Sequence, residues 1–194
     1  MKTRLLFVSA VMTFLSFSSS AQETGKRFGF EISAGPSIAT RNFVDGLKTG
    51  FGYDGAFHLR VLPRTGIYGG WGYNWFSTST GSSVTDRDYE ETGYVLGLQY
   101  KHLFYRSANS WFLRGGAIWN HIEVENDNGE ILADSGHGFG FQFAAGIDVD
   151  LGRSWSLTPV VKYNNLSRYL DEAGEGMNLN YNYLSVRIGI LKNF

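Results

Sequence analysis

The chain has 194 residues, with 17 basic and 18 acidic side chains and no cysteine. This near-neutral balance indicates no basic surface for nucleic acid, and the lack of cysteine excludes disulfides and thiolate metal sites. Glycine is abundant at 25 residues, and outside the N-terminus no apolar run approaches the about 18 residues of a membrane-spanning helix, so we expect an all-β chain.

The first 21 residues predict an export signal. Lys2 and Arg4 form a positive start, residues 5–17 are apolar, and Ser19-Ser20-Ala21 provides a small-residue cleavage site. The apolar stretch is too short for a transmembrane helix, which needs about 20 residues. We therefore expect residues 1–21 to be removed and residues 22–194 to fold as one domain.

The remaining chain predicts strands whose side chains alternate between apolar and polar. The stretch 139–151, FGFQFAAGIDVDL, has apolar residues at every odd position and small or polar residues between them. Because successive side chains of a strand point to opposite faces, this pattern predicts a strand with one apolar face. The same pattern predicts eight strands in chain order: 28–39, 51–62, 67–76, 89–104, 111–124, 139–151, 155–164 and 181–194.

The connections between these strands alternate in length. Long polar segments follow the first, third, fifth and seventh strands, the last of them at 165–180, and short turns follow the second, fourth and sixth. A tilted strand needs about 9–11 residues to cross a membrane, and an even-numbered meander with short turns at one end and long loops at the other is the layout of outer-membrane barrels. The expected fold is an all-β, eight-stranded antiparallel up-and-down transmembrane β-barrel.

The apolar face could point to lipid or, as in a soluble lipocalin-like barrel, to an internal cavity. Aromatic residues gather at the strand ends, as the interfacial girdles of a membrane barrel require. Those at the short-turn end are Phe28, Phe104, Trp111, Trp155 and Phe194, and those at the long-loop end are Tyr53, Trp75, Trp119, Phe139 and Tyr163. The other face carries glycines and charges of both signs. We therefore expect the apolar face to contact lipid.

The inner face of the predicted barrel carries four acidic and five basic side chains. They are Glu31, Asp54, Asp148 and Asp150, and Arg60, Lys101, Arg114, Lys162 and Arg187. Folding each hairpin about its turn places Glu31 opposite Arg60. It also places Arg114 opposite Asp148, with Lys101 across from Arg114. A buried charge must be paired, so we expect an ion-pair network near the short-turn end of the lumen. Eight strands enclose just enough room for such side chains, which argues against a wide pore.

Together the signal peptide, the eight amphipathic strands, the aromatic strand ends and the terminal YNYLSVRIGILKNF resemble the small outer-membrane β-barrel family of OmpA/OmpX type. The resemblance implies a bacterial outer-membrane location in contact with lipid and lipopolysaccharide. It also implies insertion by the barrel-assembly machinery, which reads the last strand ending in Phe194 as its assembly signal. Lys192 departs from the apolar pattern, and snorkelling to the interface would accommodate it.

His121 and Glu123 fall on the lipid-facing parity of the fifth strand, just beyond Trp119. A histidine beside a carboxylate in the outer leaflet, with a serine such as Ser77 or Ser135 as nucleophile, is how a lipid A hydrolase on this scaffold would work. Alternatively, the strand has left the bilayer at this point and both groups are solvated. We favour the second interpretation, because no nucleophile has a diagnostic spacing.

Two carboxylate motifs invite a metal interpretation. Asp148 and Asp150 could form a paired site, but we expect them in the ionic network. Residues 127–130, DNGE, resemble the start of a calcium loop without its further ligands, and Asn and Gly there favour a turn. We therefore expect no metal and no cofactor.

Apolar residues in the predicted loops could form a contact patch for an extracellular partner, or pack over the mouth of the barrel. They are Phe43, Val44, Leu47, Leu170 and Met177. The expected function is that of a non-enzymatic outer-membrane barrel with a plugged lumen, acting in envelope integrity or in surface binding through its loops. The alternatives are an outer-leaflet lipid A-modifying enzyme and a narrow, low-conductance channel.

Overall fold

The computed structural model of the protein describes residues 25–40, 47–78, 87–126, 129–172 and 175–194, without the side chains of residues 169–179. The predicted signal peptide, 1–21, lies outside the described residues. So do the loop residues Phe43 and Val44, and the side chains of Leu170 and Met177. Across the described ranges no helix has the length and apolar character to cross a membrane.

Nine strands make up the described part of the chain. They are β1 (Phe28–Ala39), β2 (Gly50–Arg60), β3 (Thr65–Ser77), β4 (Arg87–Leu103), β5 (Ser110–Asn126), β6 (Ile131–Asp134), β7 (Gly138–Gly152), β8 (Trp155–Glu172) and β9 (Glu175–Asn193).

Eight of these strands close into a ring. Within the ring each strand pairs antiparallel with the next one along the chain, and β5 pairs with β4 on one side and with β7 on the other. The pairing of β1 with β9 closes the ring. The remaining strand, β6, extends the wall above β7, pairs with the end of β5, and buries Ala133 in the lumen. The prediction of an eight-stranded antiparallel up-and-down barrel is therefore confirmed.

The prediction of a long loop at 165–180 is wrong. Strands β8 and β9 continue through this segment as a paired hairpin, from Asn165 opposite Asn182 to Glu172 opposite Glu175. The apolar side of the segment faces inward here, since Leu166 is buried in the lumen while Ser167 is exposed on the outer face. The predicted pattern of apolar residues on the outside therefore ends before the strand does. The four-residue strand β6 was missed for a related reason, since four residues are too few to show a period.

The outer wall of the barrel carries an apolar belt. Side chains of the predicted lipid-facing parity point outward on every strand of the ring, with Leu96 66%, Phe57 66% and Ile188 63% exposed. At the short-turn end, Lys192 places its Nζ 4.7 Å from the centre of the Trp155 ring and donates to the Arg153 carbonyl at 2.9 Å. This outward lysine therefore lies at the rim of the belt, where snorkelling would put it.

The core of the molecule is the inside of the barrel, and it changes character along the axis. Polar and charged side chains fill the lumen from the short-turn end upward. At the long-loop end they give way to an apolar and aromatic cluster made of Phe76, Tyr89, Ile118, Ile122, Val124, Ala133, Leu166, Tyr181 and Tyr183, with Leu47 packed against it. We call this cluster at the long-loop end of the lumen the hydrophobic plug.

Candidate functional site

The pair Glu31–Arg114 spans the lumen near the short-turn end. Arg114 on β5 donates to both carboxylate oxygens of Glu31 on β1, at 2.7 Å from Nη2 and 3.3 Å from Nη1, and from Nε to Gln99 Oε1 at 2.8 Å. Both charged side chains are 3% exposed. A bidentate pair of this kind is among the stronger ion pairs in proteins, because geometry and charge act together.

The predicted hairpin partners of these two residues are wrong. The β1–β2 register places Ala56 opposite Glu31, and the β5–β7 register places Ala144 opposite Arg114. In a narrow closed barrel an inward side chain reaches strands on the far side of the ring as easily as its neighbours. Pairing across the lumen therefore replaces pairing along each hairpin.

Aromatic and histidine side chains surround this pair. His58 Nε2 lies 3.2 Å from Glu31 Oε2, and the His58 ring stacks on Tyr68 with 6.2 Å between ring centroids. The Arg114 guanidinium carbon lies 4.1 Å from the centre of the Phe112 ring, a cation–π distance. The guanidinium is thus held by a carboxylate and packed against an aromatic face.

Near the same end of the barrel, the Lys101 ammonium contacts the Asp148 carboxylate as an ion pair. Two other predicted members of the network differ. Asp150 is exposed beside the turn after β7, where its carboxylate accepts from the Gly152 N–H at 3.3 Å. Arg60 lies at the last position of β2 and makes no ion pair with any residue that the structure describes. Both side chains have inward parity but sit at strand ends, where the wall no longer encloses them.

Asp54 is the centre of the next layer of the lumen. Its Oδ2 lies 2.9 Å from Lys162 Nζ and 3.2 Å from Arg187 Nε, so one carboxylate serves two cations. Arg187 also donates to the carbonyls of Gly35 and Pro36, and to Ser37 Oγ and Asn74 Oδ1. A β-carbon at Gly52 would lie 2.5 Å from Arg187 Nη2, so glycine at this position makes room for the guanidinium.

A further polar layer, which was missed in the sequence, lies above Asp54. Glu91 accepts hydrogen bonds from Asn120 and Tyr183, and from Asn74 Nδ2 at 3.2 Å. Arg168 donates to Asn120 and to the carbonyls of Phe139 and Gly138, which ties β8 to β5 and β7. Glu91 could have been predicted as a lumen residue, because its position on β4 has inward parity. Arg168 had none, because it lies in the segment predicted as a loop.

A small cavity lies among these layers. A cavity of about 20 Å³ remains beside Glu31, Asp54, Tyr68, Arg114, Gln142 and Lys162. That volume holds about one water molecule. The hydrophobic plug lies above this cavity, toward the long-loop end.

His121 and Glu123 lie outside the barrel on β5, and the neighbouring strand β6 adds a third residue. His121 Nδ1 is 3.7 Å from Glu123 Oε1 and 3.4 Å from Asp134 Oδ1. The His137 ring stacks on the His121 ring, with centroids 4.4 Å apart and planes 10° apart. Asp134 could not be found from the sequence, because the pairing of β6 with β5 was not predicted.

The serines considered as nucleophiles do not complete a catalytic group. Ser135 Oγ accepts from the Ile122 N–H at 2.9 Å and donates to the Gly136 carbonyl at 3.0 Å. Within the described ranges no hydroxyl, that of Ser77 included, hydrogen-bonds to the His121 ring. The chemistry that this cluster offers is that of one imidazole nitrogen and two carboxylates.

Of the loop residues predicted as a contact patch, only Leu47 has a side chain that the structure describes. Leu47 packs against the hydrophobic plug at the mouth of the barrel, and its backbone bridges to Thr78.

In the DNGE turn, residues 127 and 128 are outside the described residues, and Gly129 has a φ of 75°, which an Asn-Gly turn favours.

Comparison with known proteins identifies the fold. The family model described as "Outer membrane protein beta-barrel domain" matches residues 7–190. No curated protein sequence matches the chain. Among solved structures, Neisserial surface protein A is 15% identical, with a TM-score of 0.64, and the match covers 86% of this chain and 97% of that one.

Two further structures share the fold at low identity. OprG from Pseudomonas aeruginosa is 13% identical with a TM-score of 0.59, covering 88% of this chain and 97% of that one. Ail, the attachment invasion locus protein of Yersinia pestis, is 12% identical with a TM-score of 0.52, covering 88% and 99%. At these identities the likeness concerns the fold alone.

Proposed function

We propose that this chain, which belongs to the outer membrane protein β-barrel domain family, is a closed barrel that presents its extended strands at the cell surface for binding. The observation that carries the proposal is strand length. A tilted strand crosses the membrane in about 9–11 residues, whereas β4, β5, β8 and β9 have 17, 17, 18 and 19 residues. The excess continues from the long-loop end of the barrel as paired sheet.

The side chains packed inside the barrel support a scaffold rather than a channel. Cross-lumen ion pairs, the Asp54 layer and the hydrophobic plug occupy successive levels of the barrel. An ion entering this interior would have to displace paired charges and then apolar side chains, which costs several kcal/mol at each buried charge. A narrow channel is therefore the less favoured function.

The strand extensions near β6 are acidic. Their carboxylates belong to Asp88, Glu90, Glu123, Glu125, Glu130 and Asp134. Glu125 lies beyond the membrane-spanning part of β5, and partial desolvation, together with the nearby carboxylates of Glu90, Glu123 and Asp88, raises its pKa. One structure of Ail is a complex with a heparin analogue, sucrose octasulfate. The acidic surface here instead favours cationic groups or metal ions over a polyanion.

We propose that the chain is not an enzyme. A hydrolase needs a nucleophile within hydrogen-bond reach of its base, and the neighbours of His121 are carboxylates and a second imidazole. The same proposal places the protein in the bacterial outer membrane, exported by residues 1–21 and inserted by the assembly machinery through the strand ending in Phe194. Lipid and lipopolysaccharide would then surround the apolar belt, and a role in envelope integrity would follow from the same placement.

Cysteine labelling tests the presentation of the extensions, because the chain itself has no cysteine. Ser167→Cys lies in the β8 extension, and Ala108→Cys lies in the short turn between β4 and β5; both native side chains are exposed. On intact cells, a membrane-impermeant maleimide should label the first variant and leave the second unlabelled until the outer membrane is permeabilised. Equal labelling of the denatured variants controls for thiol reactivity. The reverse pattern, or labelling of both variants on intact cells, would contradict the proposed orientation.

A further inference from the structure

The outer face of the β5–β6 pair brings three metal-ligating side chains together. His121 and Glu123 are two residues apart on one strand and so project from the same face. The β5–β6 register then places Asp134 directly opposite Glu123. The ligand atoms of these three side chains all lie within 4.8 Å of one another.

We propose that His121, Glu123 and Asp134 form a binding site for a divalent transition-metal ion, for which zinc is the best match. Zinc takes imidazole nitrogen and carboxylate oxygen at about 2.0–2.2 Å, and two ligands of a tetrahedral ion at that range lie about 3.4 Å apart. His121 Nδ1 lies 3.4 Å from Asp134 Oδ1 and 3.7 Å from Glu123 Oε1. Both distances from His121 are thus close to the spacing that the ion requires, and the carboxylate oxygens of Glu123 and Asp134 lie within 4.8 Å of each other.

The donor set distinguishes among cations. Calcium and magnesium prefer sites made of oxygen ligands, whereas one imidazole and two carboxylates suit zinc and its neighbours in the first transition row. Three protein ligands leave a fourth position for water or for an oxygen of a bound molecule. The site therefore offers a metal-centred contact for anionic oxygens on a surface that is otherwise acidic.

Surrounding residues support the three ligands. The His137 ring lies parallel to the His121 ring and also packs 5.0 Å from the Trp119 ring, so His121 is held between its carboxylates and an aromatic stack. Glu90 and Glu125 place carboxylates within 4.8 Å of that of Glu123. Like charges this close repel each other, and a bound cation relieves the repulsion.

Calorimetric titration of the purified full-length barrel in detergent with zinc chloride tests the site. We expect one zinc ion per chain, and a loss of affinity of at least about 100-fold in His121→Ala, since even the loss of a residue that hydrogen-bonds to a metal ligand costs about 10–100-fold. Glu123→Gln and Asp134→Asn should also weaken binding. All three side chains lie on the outside of the barrel, so the variants should keep their folded mobility on unheated gels.

His102→Ala is the matched control. Its ring also stacks on an aromatic residue, Trp111, at 5.7 Å, but it lies near the short-turn end and has no carboxylate in ion-pair range among the described residues. This variant should bind zinc as the unaltered protein does. The proposal is overturned if the unaltered protein binds no zinc, if His121→Ala binds as tightly as it does, or if calcium displaces zinc at equal concentration. Because the titration uses purified protein, its failure would leave the surface-labelling test of the proposed function unaffected.

Discussion

Replacing Arg114 by leucine should lower the free energy of unfolding by about 3–5 kcal/mol, because it leaves a buried carboxylate without its cation. Glu31 would keep only His58 at 3.2 Å, whereas it now accepts two hydrogen bonds from the guanidinium. Urea titration of the barrel in lipid vesicles, followed by tryptophan fluorescence, measures the change. Arg64→Leu, an exposed arginine at the short-turn end, is the control and should change stability by less than about 1 kcal/mol.

A double-mutant cycle with Glu31→Gln separates the ion pair from the loss of packing on Phe112. If the pair is coupled as its geometry indicates, the two single variants should lose more stability in sum than the double variant does. Strictly additive losses would show that Arg114 acts through packing alone. The cross-lumen network would then be a consequence of the barrel and not a support for it.

Introducing a lysine in the middle of the apolar belt should destabilise the protein in lipid by about 2–4 kcal/mol, the cost of a lysine on the lipid face of a barrel near the bilayer midplane. Leu96 is the position of choice, since it is 66% exposed and lies on β4 opposite Gly69 and Ala117. Exposed leucine to lysine changes on a soluble protein are usually within about 0.5 kcal/mol of neutral. The loss of unfolding free energy in Leu96→Lys therefore shows whether this face meets lipid or water.

Ile131→Lys provides the comparison outside the belt. Ile131 is also apolar and 58% exposed, but it lies on β6, beyond the ring. We expect its replacement to change the free energy of unfolding in vesicles by less than about 1 kcal/mol, since lysine near or beyond the interface costs little. Equal effects at the two positions would contradict the assignment of the belt to lipid.

Most of the barrel wall could be predicted from the sequence, because its alternation has one cause throughout. Strand β1 has the predicted bounds, Phe28–Ala39, and the parity of every predicted strand agrees with the observed outward and inward faces. Because one side of each strand meets lipid and the other meets a polar lumen, the alternation of apolar and polar residues reveals which face points outward. The resemblance to small outer-membrane barrels rested on the same alternation, and the family match bears it out.

The pairing of side chains could not be predicted in the same way. Parity says that Arg114 points inward, but its choice of Glu31 depends on how the ring closes, which no local pattern contains. Asp150 has the same parity and lies outside the network, because β7 ends two residues later. At the outer rim, Asp134 joins His121 only through a four-residue strand, β6, that is too short to show a period.

The closure of the lumen is tested most directly by ion conductance across a planar lipid bilayer containing the purified protein. Tyr68 and Gln142 are buried, uncharged and beside the remaining cavity, so the double variant Tyr68→Ala, Gln142→Ala widens the lumen while keeping the ion pairs. We expect no discrete conductance steps from the unaltered protein, and none from this variant, because the hydrophobic plug at the long-loop end is unchanged. Discrete steps from the unaltered protein would contradict a closed barrel and would make the protein a narrow channel.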